Sequence, residues 1–89
     1  MPTIATFYGI VIYMYWRDHA PPHIHAMYQG HEALIGLNAG EVIGGNLPPN
    51  ALRIVREWVI LRRSELAENW QHGRDGTPFR RVPGPDEST

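Results

Sequence analysis

Two adjacent prolines, Pro48 and Pro49, divide this chain into halves with different periodicities. A residue that precedes a proline is pushed out of the α region, so Pro48 stays extended and no helix begins before Pro49. On the N-terminal side the chain is rich in β-branched and aromatic residues and punctuated by glycine. Strands are expected over residues 3–7, 10–17, 23–29, 31–37 and 41–44, with breaks at Gly9, at Ala20-Pro21-Pro22, at Gln29-Gly30 and at Asn38-Ala39-Gly40. Connections this short favour antiparallel neighbours. On the C-terminal side Ala51, Val55, Trp58, Val59, Leu66 and Trp70 recur at helical spacing.

Arg62 and Arg63 interrupt that stripe, and Ser64 is an acceptable N-cap. The spacing therefore fits either one helix over 49–72 or two with a break near residue 63. A single helix of that length would run roughly 36 Å, longer than a small sheet. The expected fold is α+β: an antiparallel β meander of four to five strands, followed by a C-terminal helical segment packed on one face. It forms one domain over residues 1–72. From Gly73 on, Gly, Pro and charge alternate with few apolar anchors, so 73–89 reads as a mobile tail or one pinned only by Phe79 and Val82.

A chain of 89 residues with a formal net charge of -1 and 43% hydrophobic content suits one small globular domain. Bulk charge favours neither membranes nor nucleic acid, so polyanion binding would need local clustering. Every basic residue is arginine, and the absence of cysteine excludes disulfides, thiolate metal sites and cysteine nucleophiles. The longest apolar run, 10–16, is far short of the ~20 residues of a membrane span, and no basic n-region opens the chain. A cytoplasmic protein without membrane contact is the expectation.

The stretch RDHAPPHIH, residues 17–25, concentrates the chemistry. On a strand, His23 and His25 project from the same face. If Gln29-Gly30 is a two-residue turn, Tyr28 pairs with His31, Ala26 with Ala33, His25 with Leu34, Ile24 with Ile35 and His23 with Gly36. Ile24, Ala26, Ala33 and Ile35 then form the face a helix covers. His23, His25, Met27, Glu32, Leu34 and Gly36 form the other, with His31 pointing away from the site. Gly36, and Gly44 on the next strand, are expected to leave ligand space above the imidazoles.

Three readings of this loop stay open. Two same-face histidines plus His19, Asp18 or Glu32 supply three metal ligands and an open position, with zinc or nickel at His19, His23 and His25 as the metal form. Alternatively, without a cofactor, His23 and His25 act as acid and base in RNA cleavage, supported by His19, with Arg17 for the developing phosphorane charge and Tyr13 and Tyr15 to bind substrate. The third reading is structural: the prolines hold a turn, and the histidines bond to nearby backbone. Arg53, Arg56, Arg62 and Arg63 alternate with Glu57, Glu65 and Glu68, which reads as a solvated, salt-bridged helix face.

The F-Y-G-I start, the loop spanning Asp18, His19, Pro21, Pro22, His23 and His25, the Gly40-Glu41-Val42 turn and the closing Glu68-Asn69-Trp70 together resemble the small bacterial domain-of-unknown-function family numbered 4160. The resemblance covers nearly the whole chain. It implies a toxin-like component of a two-gene toxin-antitoxin module, and with the histidine loop a metal-independent ribonuclease; the alternative is a non-enzymatic metal- or partner-binding module. The strand over 10–17 is apolar or aromatic on both faces, so a homodimer or a small antitoxin-like protein partner is expected on its second face, around Tyr13.

Overall fold

The computed structural model describes residues 2–87. Strands β1 (Thr3–Phe7), β2 (Ile10–Tyr13), β3 (His23–Tyr28), β4 (His31–Gly36) and β5 (Val42–Gly45) form one antiparallel sheet in chain order. Two of the turns are two-residue hairpins with both central residues left-handed: Tyr8-Gly9 at φ 52° and 78°, and Gln29-Gly30 at φ 48° and 80°. That conformation matches the right-handed twist of paired strands, and the glycine second in each turn adopts it without steric cost. The β3–β4 register follows the expected pairing, from Tyr28 opposite His31 to His23 opposite Gly36.

Period two then sorts the sheet. Ile12, Ile24, Ala26, Ala33 and Ile35 are fully buried on one face. Helix α1 (Pro49–Leu61) covers that face with Ala51, Val55, Trp58 and Val59. At roughly 25 cal/mol per Å² of apolar surface removed from water, this layer is the main source of stability in so small a domain.

The helical segment is two helices. Helix α2 (Arg63–Asp75) follows a break at Arg62, whose backbone sits at φ -105° and ψ 23°. Ser64 lies inside α2 and caps nothing. The break lets the Arg62 side chain turn inward and donate to the carbonyls of Gly84 at 3.0 Å and Glu87 at 2.8 Å.

Those bonds belong to a strap. Val82 N–H donates to the Ile4 carbonyl at 2.8 Å and covers the β1 edge. Trp58 Nε1 donates to the Pro83 carbonyl at 2.8 Å, and the Asn69 amide bonds Arg80 N and O at 2.8 and 2.7 Å. Phe79 stacks on Trp16 at 4.6 Å. A domain ending at residue 72 thus cuts α2 and omits a segment, 76–87, that is bonded to both helices and the sheet.

Strand β2 also stops at Tyr13 rather than Arg17. Arg17 is left-handed, at φ 57°, and its N–H donates to the Gly73 carbonyl at 3.2 Å. Residues 14–22 consequently form the loop that swings Asp18 back over β3. Tyr13, expected on a surface left for a partner, is 2% exposed and packs within the chain.

Candidate metal centre

His23 and His25 stand on β3 with side chains on the face away from α1, as alternation requires. Both are buried, at 5% and 9% exposure. Asp18 reaches them from the preceding loop. Its Oδ1 accepts the His19 backbone N–H at 2.8 Å, a local turn that leaves Oδ2 directed at the imidazoles. His25 Nε2 donates to Oδ2 at 3.0 Å.

His23 is held differently. Its Nδ1 donates to the Pro21 carbonyl at 2.7 Å, since a carbonyl can only accept. In the neutral ring, Nε2 then carries a lone pair. Nε2 lies 3.1 Å from Asp18 Oδ2, yet its alignment is too poor for a hydrogen bond, and it is buried with no partner among the described residues. A lone pair facing a carboxylate oxygen in a buried site repels it unless a proton on Nε2 or a bound cation lies between them.

Asp18 Oδ2 and one ring nitrogen from each of His23 and His25 lie within 4.8 Å of one another. Ligand atoms about 2.0–2.1 Å from a tetrahedral zinc ion sit roughly 3.3 Å apart, near the 3.0 and 3.1 Å that separate Asp18 Oδ2 from the two imidazoles, while the three atoms together span up to 4.8 Å, so an ion would draw the two rings closer. Two imidazoles and a carboxylate are donor types that suit such an ion. Burial raises the Asp18 carboxyl, but the His25 bond, the His19 N–H and, when the rings are protonated, the charges of both histidines outweigh burial and hold it below its ordinary value.

An outer layer surrounds the two rings. Glu32 Oε2 lies 3.4 Å from His25 Nδ1 and accepts the Tyr13 hydroxyl. Burial first, then the bond and charge of Glu32 and the neighbouring Tyr15, push Tyr13 above the usual tyrosine range. Its ring stacks on His25 at 5.0 Å and 15°, Tyr15 meets His25 edge-on at 4.9 Å, and Trp70 of α2 tilts against His23 at 5.3 Å.

Of the residues singled out from sequence, the structure brings together His23, His25 and Asp18, with Tyr13 and Tyr15 as walls. His19 is exposed, contributes only its backbone N–H, and is absent from the ligand cluster; Asp18 occupies the third place instead. Tyr13 is too buried to stack a base, whereas Tyr15 is 41% exposed. Arg17 lies outside the cluster, lining a cavity with Asp18 and Arg74. His31 is exposed at the far turn, on the other face.

The space expected over Gly36 is not open. A Cβ there would meet the Glu41 carboxylate at 2.5 Å, so Glu41 occupies it, while Gly44 has open space beside it. Glu32 was placed on the histidine face by register alone, since it pairs with Met27. Trp70 was expected only as part of the helical stripe, and nothing in local periodicity brings α2 round to His23.

The family model described as a domain of unknown function, DUF4160, matches residues 9–71. That span contains Tyr13, Asp18, His23, His25, Glu32 and Trp70. No curated protein and no solved structure matches the chain.

Proposed function

We propose, on the premise that the chain belongs to the DUF4160 family, that it is a metal-binding module holding one divalent transition ion on Asp18, His23 and His25. The observation that carries this reading is the buried, unpartnered Nε2 of His23 facing Asp18 Oδ2. Two imidazoles and one carboxylate suit zinc or nickel and leave coordination positions open. A bound ion would supply Lewis acidity at such a position.

The chain's own residues do the rest. The Pro21 carbonyl fixes the His23 tautomer, and Glu32 stands where it can receive the Nδ1 proton of His25 once Nε2 is a ligand. Tyr13, Tyr15 and Trp70 limit solvent around the rings. Equilibrium dialysis of purified, chelator-treated protein against zinc or nickel tests the reading. One ion per chain is expected, and no uptake, with no shift in melting temperature, overturns it.

One observation favours a second reading, a metal-free ribonuclease acting as a toxin-like component. The His25–Asp18 hydrogen bond is the arrangement that orients an imidazole for proton transfer. Against it stands burial, because His23 and His25 expose too little surface for an RNA backbone to reach both rings. Induced expression that halts growth, relieved by His25→Ala and indifferent to chelators in an RNA-cleavage assay, would favour this reading over the metal module.

A further inference from the structure

Arg17 and Arg74 are 57 positions apart in the chain and line one cavity of about 300 Å³ whose remaining wall is Asp18. Neither forms an ion pair among the described residues, as is also true of Arg56, Arg63 and Arg80, whereas Arg53, Arg62 and Arg81 each do; of the arginines without an ion pair, Arg17 and Arg74 are the two that line one cavity together. Arg74 complements the α2 dipole from its last turn, a role that requires no cavity. Arg17 has no such structural role, and its backbone is held left-handed at φ 57°. Strain of this kind persists only where the surroundings impose it.

What imposes it is the bond from Arg17 N–H to the Gly73 carbonyl, at 3.2 Å. Gly73 adjoins Arg74, so this contact brings the backbone of Arg17 next to that of Arg74. A Cβ at Gly73 would lie 3.2 Å from the Phe79 ring and 3.4 Å from the Tyr15 carbonyl, so a glycine lets the loop sit this close to α2.

We propose that Arg17 and Arg74 form an oxyanion subsite beside the metal centre, and that it takes the phosphoryl group of a phosphoester. Each guanidinium is a planar fork of donors that matches two phosphoryl oxygens. A phosphoryl group has three non-bridging oxygens, so two forks can each take a pair by sharing one oxygen; a carboxylate has two and can fill only one fork in this way. The cavity is at the small end of ligand-pocket sizes, suited to a phosphate and the start of its ester group. The subsite rests on the metal reading in one respect: the Asp18 carboxylate would repel an anion in the same cavity unless a cation takes up its charge.

The test is calorimetric titration of phenyl phosphate into the full chain, zinc-loaded and metal-free, with benzoate as the carboxylate comparison. Phenyl phosphate should bind the zinc-loaded protein more tightly than the metal-free protein and more tightly than benzoate does. Arg17→Gln and Arg74→Gln should each weaken it about 10- to 100-fold while leaving zinc affinity unchanged. Arg74 is exposed, so Arg74→Gln serves even if Arg17→Gln perturbs the loop. Normal zinc binding with no phenyl phosphate binding, or with binding indifferent to both substitutions, overturns the subsite alone. Benzoate binding as tightly as phenyl phosphate overturns the phosphoryl assignment. Failure to bind zinc overturns the metal reading and this inference with it.

Discussion

Glu32 and His25 meet across the β3–β4 pair, with Glu32 Oε2 3.4 Å from His25 Nδ1. With Nε2 bound to an ion instead of donating to Asp18, the His25 proton would move to Nδ1, where Glu32 is the nearest acceptor. Glu32→Gln should therefore weaken zinc binding about 10- to 100-fold, the usual cost of losing such a partner. Competition with a chromophoric chelator measures it, and unchanged affinity would show that the Tyr13–Glu32–His25 chain does not govern the ligand.

The ligand set is separable from its neighbours. Asp18→Asn, His23→Ala and His25→Ala should each abolish stoichiometric zinc uptake, and His19→Ala should leave it intact because that ring is outside the cluster. Uptake should also fall as the pH is lowered, because protons compete with the metal for the imidazole nitrogens. Loss of binding in His19→Ala would show that the loop rearranges around the ion.

Tyr13 gives an alkaline signature. Its folded-state pKa is raised, so the stability it contributes is complete below the ordinary tyrosine value of about 10 and is lost as pH rises toward the folded value. In an absorbance titration at alkaline pH, one of the 4 tyrosines should ionise only as the protein unfolds. Tyr13→Phe should remove that late step, and a wild-type chain whose tyrosines all titrate together near 10 would contradict the burial.

Asp18 gives the opposite signature. Its folded-state pKa is lowered, so in chelator-treated protein its contribution is present above the ordinary aspartate value of about 3.9 and is lost as pH falls through the folded value. Denaturant midpoints measured from pH 6 downward should fall less steeply in Asp18→Asn than in wild type. Parallel curves would mean that the Asp18 bonds contribute nothing to folding.

Gly45 supports the site from the sheet edge. It is left-handed at φ 68°, and a Cβ there would run into the backbone carbonyl of Glu32, which also accepts Asn46 N–H at 3.0 Å. Gly45→Ala should destabilise the fold by about 1–3 kcal/mol by prising β5 from β4. Thermal unfolding measures this, and a neutral effect would mean that β5 adjusts freely.

Local rules determined the sheet and the two histidines. Alternation, the Gln29-Gly30 turn and Pro48-Pro49 each act within a few residues, and they are enough to set the strand order, the β3–β4 register, the Ile24/Ala26/Ala33/Ile35 face and the shared face of His23 and His25. Tertiary contacts decided the rest. The helix break at Arg62 lets its guanidinium reach carbonyls 22 and 25 residues away, and those bonds turn 76–87 from a tail into a strap. Asp18 rather than its neighbour His19 joins the imidazoles because the loop from residue 14 to 22 has no period to assign inside and outside. Its path is set by the Arg17–Gly73 bond, between residues that only the packed α2 brings together.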